Sequence, residues 1–408
     1  MLSNCWLKKV LSCTFLRILN EYIFCRNRGL IMMITAKTEK EIKIDTDYLQ
    51  SLLRRIVPSK CLQLLLWNCS PLGKNKEESS VYRISCTVLD NNRKQNYTMI
   101  LKILKPDSMR NQVDHYYYWK REALVYHSGI LNQLPLGIRA PLFHTVEEHP
   151  DENVWIWLED IAIESIQSDW SFTHMCKISY LLGKYNGAYI KGTPLPTESF
   201  LCHTWMRSWV EVCAAYAKPI EEQKVIWDSC LNDFNGKSSM WELYHNNRDR
   251  VNSLLETLEL LPRVFAHQDV HWDNIFIEQL NGNDSLIAID WQFASISGVG
   301  EELGRMFGYA LLKKKVPVNK VAEYKEELFL NYLQGLRDVG WDGNFKLARF
   351  GFTASASLRF IMVIDKMLSN LEEDDRINQK EKSSHLLLVT QALLELAEES
   401  WNLRSQII

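Results

Sequence analysis

Hydrophobic spacing divides the 408 residues into a strand-rich first part and a helix-rich second part. Asp45–Val57 has helical spacing, with Leu49, Leu52, Leu53 and Ile56 on one face. Strand-like runs follow at Leu62–Asn68, Val81–Leu89 and Tyr97–Leu104, then a helix over about Val113–Leu131. Leu142–Val146 and Val154–Leu158 read as paired strands. From Asp169 the period is helical, through Ile178–Ile190, Cys202–Tyr216, Pro219–Asn232 and Met240–Leu258, and again over residues 319–338, 344–368 and 382–402. Gly183, Gly187 and Ala188 allow a second helix to approach closely. The Trp, Tyr and Leu stripes of these helices read as core faces. The helical period lapses over residues 267–292. There Asn274–Ile277 and Ser285–Ile289 read as short strands around the turn Asn281-Gly282-Asn283-Asp284.

A hairpin brings its two ends together. Asp269 and Asn274, before the hairpin, are therefore expected near Asp290, after it. Phosphoryl transfer from ATP uses such a grouping: one carboxylate takes the proton of the attacking hydroxyl, and a carboxylate with an amide oxygen holds Mg²⁺. Magnesium binds through oxygen and takes few protein ligands. Asp269 is the candidate base, and Asn274 and Asp290 are the candidate metal ligands. The other reading is a polar hairpin with incidental acids.

The stretch His267-Gln268-Asp269-Val270-His271-Trp272-Asp273-Asn274, the apolar hairpin and Asp290-Trp291 resemble a known pattern. It is the H-x-D-x-H-x-x-N and D-W pattern of the aminoglycoside phosphotransferase and choline kinase-like group. The resemblance implies an α+β, bilobal protein-kinase-like fold. Its small, mainly β N-lobe would span 33–157 and its large, mainly α C-lobe 158–408. It also implies ATP- and Mg²⁺-dependent transfer of the γ-phosphate to a hydroxyl of a small molecule, such as an aminoglycoside, sugar or amino alcohol. Two departures stand out: H-Q-D replaces the usual H-G-D, and Gln292 follows the aromatic where Glu or Gly is more usual. Neither removes a reacting group.

By the same resemblance His267 braces the catalytic loop. Lys102, a lysine inside an apolar strand, holds the α- and β-phosphates, with Glu122 on the next helix as its partner. Ser79 and Ser80, at the tip of the connection before Val81, donate to phosphate. Leu158–Ile161, including Asp160, form the hinge whose backbone pairs with adenine, and Glu302 orders the catalytic loop. Plainer alternatives stand beside each. Lys105 competes with Lys102, and Glu122 suits a solvated helix face. The serines suit a hairpin turn, Leu158–Ile161 a strand end, and Glu302 a helix start. His267 and His271 have the spacing of a zinc pair only if they lie on a helix, which the strand-like run after them opposes. A protein kinase is disfavoured, because H-R-D, D-F-G and A-P-E are all missing. A catalytically silent kinase fold that binds nucleotide or a protein is the alternative class.

The net charge of −3 gives no reason to expect nucleic acid or an anionic membrane as partner. None of the ten cysteines forms a C-x-x-C pair, so reduced thiols in a cytoplasm are expected. Residues 1–32 read as an extension outside the fold. Lys8 and Lys9 before an apolar run imitate a signal peptide, but Arg17 interrupts it. The run is too short and broken for stable membrane insertion, and Met32 or Met33 is the expected start. The acceptor and the oligomeric state have no signature in the sequence.

Overall fold

The computed structural model describes residues 42–59, 61–73, 79–161, 170–215, 220–230, 237–280, 282–371 and 376–407. The expected extension at 1–32, most of the connection before Ser79 and the turn residue Asn281 lie outside the described residues. The chain packs as two units. One holds the described residues up to Asp107 together with 141–161. The other holds Ser108–Ala140 and the described residues from 170 onward.

The first unit is one helix on one antiparallel sheet. Helix α1 (Thr46–Ile56) starts where the Asp45 carboxylate accepts from the Tyr48 N–H at 2.9 Å. Strands β1 (Leu62–Pro71), β2 (Ser79–Asp90) and β3 (Arg93–Leu104) form a meander. Strands β5 (Phe143–Glu148) and β6 (Val154–Glu159) complete the sheet, in the order β1-β2-β3-β6-β5. Strand alternation gives the sheet two faces. Ile84, Met99, Leu101, Ile103 and Trp157 cluster with Leu49, Leu52 and Leu53 of α1. The alternate positions Ile100 and Lys102 are partnered by Arg83 and Val81 on β2 and by Leu158 and Ile156 on β6. Ser79 and Ser80 were expected at a loop tip. They are instead the first ladder positions of β2, opposite Leu104 and Ile103, and Ser80 is buried. The alternation of Val81-Tyr82-Arg83-Ile84 simply continues backward through two small residues.

The second unit is mainly helical. It contains α2 (Arg121–Ser128), α3 (Phe172–Ile190), α4 (Trp205–Ala214), α5 (Ile220–Cys230) and α6 (Lys237–Glu259). After the strands of the candidate site come α7 (Glu301–Leu312), α8 (Val321–Asp338), α9 (Phe345–Leu371) and α10 (Arg376–Arg404). The helix expected over Val113–Leu131 begins only at Arg121. The Arg121 guanidinium is the physical reason. It donates to the carbonyls of Val113 and His115 at 2.7 Å and of Tyr116 at 2.8 Å, which holds the preceding aromatic run in turns rather than helix. Glu122 therefore sits in the first turn of α2 and is buried, not on a solvated face.

Close helix approaches set the frame of the site. A Cβ on Gly183 of α3 would lie 2.0 Å from the Tyr332 carbonyl oxygen, so α3 and α8 meet backbone to backbone, as the small residues of α3 suggest. A Cβ on Gly304 of α7 would lie 2.6 Å from the Phe352 carbonyl oxygen of α9. Every residue of α7 is buried, including Glu301, Glu302 and Arg305. An all-buried helix with three ionisable residues must satisfy them internally.

Candidate active site

The site is built on short strands of the second unit. β7 (Arg263–Ala266) pairs with β10 (Ser295–Gly298) and leads into the loop 267–274. β8 (Ile275–Leu280) and β9 (Asn283–Ala288) form the expected hairpin, with β4 (Ile138–Arg139) parallel to β9. Ile275 faces Ala288 across the hairpin, and the Ile289 N–H donates to the Asn274 carbonyl at 2.9 Å. Asn274 is thus fixed beside the strand end that carries Asp290. Asp290 itself has φ +64°, a left-handed conformation that turns the chain sharply into Trp291.

His267 is fully enclosed. Its Nδ1 accepts from the Asp269 N–H at 3.2 Å, so Nε2 carries the proton and donates to the Ile289 carbonyl at 2.8 Å. Burial lowers its pKa, which keeps the ring neutral. The Trp291 ring meets it edge-on at 4.8 Å. His267 and His271 lie on a loop, not a helix, and a ring nitrogen of each accepts a backbone N–H, so the zinc spacing has no counterpart here.

Gln268 occupies φ +62°. This explains why glycine is the usual residue in the related pattern: only glycine adopts that conformation without steric cost. Here the glutamine is held on all sides. Its N–H donates to Glu302 Oε1 at 3.3 Å, its Nε2 to Glu301 Oε2 at 3.1 Å, and its carbonyl accepts from Arg359 Nη1 at 2.7 Å.

Asp269 is nearly inaccessible, 4% exposed, and both its oxygens are occupied. Oδ1 accepts from Arg305 Nε at 3.0 Å and Nη2 at 2.8 Å, with Arg359 Nη2 at 3.8 Å. Oδ2 accepts from Asn274 Nδ2 at 3.0 Å, with His271 Nε2 at 3.4 Å. Burial acts to raise its pKa, but Arg305, His271 and Arg359 outweigh that and hold it well below the usual carboxylate range.

Glu302, expected to order the loop, hydrogen-bonds its backbone. Its Oε1 accepts from the His267 N–H at 2.8 Å. Its Oε2 accepts from Asn186 Nδ2 at 2.9 Å, and Asn186 Oδ1 accepts from the Tyr332 hydroxyl at 2.6 Å. Burial raises the pKa of both Glu301 and Glu302, and their hydrogen bonds work against that rise. Asn186, Tyr332, Arg305 and Arg359 escape the sequence reading. The one available signal was Glu301, Glu302 and Arg305 inside the otherwise apolar run of α7.

Asn274 suits a magnesium ligand. Its Nδ2 is spent on Asp269, which leaves Oδ1 for a cation beside the Asp290 strand end. Oxygen donors of this kind match magnesium. Asp269, His267, Asn274 and the chain at Asp290 are thus brought together in one unit. Lys102, Ser79, Ser80, Leu158 and Asp160 lie in the sheet unit, and Glu122 lies in the helical unit. Within the sheet unit Asp160 forms a bidentate pair with Arg83, Oδ2 to Nε at 2.7 Å and Oδ1 to Nη2 at 3.1 Å. This ties the end of β6 to β2.

No family model and no curated protein matches the sequence. Among solved structures, the amicoumacin kinase hAmiN in complex with AMP-PNP, Ca²⁺ and Ami is similar over 80% of this chain and 88% of its own. The TM-score is 0.51 and the identity 14%. The chain has the fold of this kinase. A Plasmodium vivax ethanolamine kinase is similar over 80% of this chain and 81% of its own, with TM-score 0.41 and 13% identity. The aminoglycoside phosphotransferase APH(3'')-Id from Streptomyces rimosus covers 78% of this chain and 99% of its own, with TM-score 0.40 and 15% identity. The α+β, protein-kinase-like class expected from the sequence is the class observed, with a mainly β unit and a mainly α unit. Among the described residues no helix is long and apolar enough to cross a membrane.

Proposed function

We propose that the chain is a small-molecule kinase of the aminoglycoside phosphotransferase and choline kinase-like group. It would transfer the γ-phosphate of ATP, with Mg²⁺, to a hydroxyl of a small molecule. One observation carries this reading: an anionic Asp269 hydrogen-bonded to Asn274, which the β8–β9 hairpin fixes beside the chain at Asp290. In the reaction the acceptor oxygen bonds to the γ-phosphorus, the bond from that phosphorus to the β,γ-bridging oxygen breaks, and ADP leaves. The hydroxyl proton passes to Asp269. A magnesium ion held by Asn274 and Asp290 would neutralise the phosphates. Lys102, Glu122, Ser79, Ser80, Leu158 and Asp160 are assigned to the nucleotide by resemblance. Cysteines 61, 69, 86, 176, 202 and 213 carry free thiols, which supports a reducing cytoplasm as the place of action.

A silent kinase fold is favoured by one feature, the near-complete enclosure of Asp269 by its own protein partners. ADP release from MgATP across a panel of hydroxyl acceptors decides between the two. Asp269→Asn is expected to lower turnover by roughly 10²–10⁴. Equal ADP release by wild type and Asp269→Asn with every acceptor would refute the kinase reading. Asp290→Ala is expected to abolish the tightening of ATP binding by Mg²⁺ in calorimetry, and Asn274→Ala to weaken it less. The same ATP affinity for wild type and Asp290→Ala at every Mg²⁺ concentration would remove Asp290 from the metal site.

A further inference from the structure

The buried groups around Asp269 are more numerous than a base and two metal ligands require. Two arginines, Arg305 from α7 and Arg359 from α9, converge on the His267–Asp269 segment, and both are essentially inaccessible. Arg305 places two donors on one oxygen of Asp269. Its guanidinium also stacks over the Tyr309 ring, 4.3 Å from the centroid. Arg359 holds the carbonyl of the left-handed Gln268 step and packs over Trp205 at 4.3 Å. Burying two guanidiniums costs free energy unless they are paired and packed. A carboxylate alone needs only one such partner.

We propose that Arg305 and Arg359 are positioning residues for the phosphotransfer reaction: Arg305 anchors Oδ1 of Asp269 so that Oδ2 faces Asn274, and Arg359 holds the Gln268 backbone that aims the side chain. This rests on the kinase reading given above. The pair has a division of labour. Arg305 fixes which oxygen is turned toward Asn274. Arg359 replaces the conformational ease that glycine would give at position 268: the guanidinium, with Glu301 on the glutamine amide, holds the loop in a turn that a non-glycine residue resists. The H-Q-D variation and the buried Arg359 are thus two parts of one device.

Two further side chains lie against this network: Glu301, which accepts from the Gln268 amide and the Gly298 N–H, and His271, 3.4 Å from Oδ2. Asp273 faces His271 Nδ1 at 3.5 Å, and Glu302 holds the loop backbone. None of these replaces the two bonds from Arg305 to Oδ1.

The test is ADP release from MgATP with water as acceptor, with kcat and the ATP KM measured for wild type, Arg305→Gln, Arg305→Lys, Arg359→Lys and Asp269→Asn, and folding checked by thermal melting. Arg305→Gln is expected to lower kcat about tenfold or more with the ATP KM nearly unchanged. Arg305→Lys keeps the charge but not the two-donor fork, so kcat should fall only in part, again with the ATP KM nearly unchanged. Arg359→Lys should lower kcat with the ATP KM nearly unchanged. A folded Arg305→Gln with wild-type kcat overturns the proposal. Should Arg305→Gln not fold, wild-type kcat in both lysine variants overturns it. Equal rates for wild type and Asp269→Asn would sink the kinase reading itself and this proposal with it, an outcome distinct from the first two.

Discussion

At the scale of single residues, the site depends on groups whose neighbours change their ordinary behaviour. Asp269 is the clearest. Its folded pKa is held below the ordinary aspartate value of 3.8 by Arg305, His271 and Arg359 acting against burial. The folded state therefore binds fewer protons than the unfolded chain just below that value. The stability this supplies is fully present above pH 3.8 and is lost as pH falls through the depressed folded pKa. Asp269→Asn removes the charge but leaves Arg305 buried, so it is expected to destabilise the fold by about 3–5 kcal/mol at neutral pH. Denaturant titration should show the gap between wild type and Asp269→Asn closing as pH drops below 3.8. A gap independent of pH would mean that the carboxylate charge adds nothing. This cost also qualifies the sequence-based view of Asp269 as a base alone, because the same side chain neutralises the core. Gln268 gives a second residue-scale test. Gln268→Gly and Gln268→Ala both lose the amide contacts, but only glycine relieves the φ of +62°. The glycine variant should be the more stable of the two by about 1 kcal/mol. Equal stabilities would show that the turn is not strained.

Elements transmit these residue-level demands. α7 carries Glu301, Glu302 and Arg305 on one buried helix, and it can reach the 267–274 loop because Gly304 lets α9 come against its backbone. Gly304→Ala inserts a methyl group 2.6 Å from the Phe352 carbonyl and 2.7 Å from the Ala356 nitrogen, both backbone atoms that cannot rotate away. The expected cost is about 1–3 kcal/mol of stability, as for other overpacked sites. Turnover should fall beyond what the stability loss explains, because Arg305 moves with the helix. A stable Gly304→Ala protein with full turnover would separate α7 packing from the site. The N-cap of α1 is the contrasting case. Asp45→Ala loses the bond to the Tyr48 N–H and should cost about 1 kcal/mol without altering the Asp269 network.

For the whole molecule, the consequential fact is that the sheet unit is discontinuous in sequence. β6 arrives after the 108–140 excursion, yet it pairs with β3 from Met99 to Leu104 and supplies Trp157 to the core under α1. A fragment ending at Asp107 would contain β1, β2, β3 and α1 but would expose the β3 edge and lose that tryptophan. It is expected to remain unfolded, with poor amide dispersion in NMR, because three strands without their partner bury too little surface. A cooperative thermal transition in that fragment would contradict this.

Much of the architecture was legible in one dimension. Short strand-like apolar runs located every strand of the five-stranded sheet, because such a run is a local property of the chain. The 267–292 stretch was legible because a loop, a hairpin and a following carboxylate are contiguous. Glu302 was legible for a similar reason, being close in sequence to the loop it orders. Other features had no local signature. The start of α2 at Arg121 depends on carbonyls collected from Val113, His115 and Tyr116, and on Phe200 from far along the chain. The placement of Ser79 and Ser80 in the ladder depends on the register with β3. The convergence of Arg305, Arg359 and Asp269 joins residues up to 90 positions apart through the packing of α7 on α9, and no spacing rule encodes it. The sequence by itself determined the strands of the sheet, most of the helices and the contiguous loop–hairpin–carboxylate stretch at 267–292. Only the tertiary structure decided which charges meet, because a buried charge is controlled by neighbours that the chain brings together through packing, not through proximity in sequence.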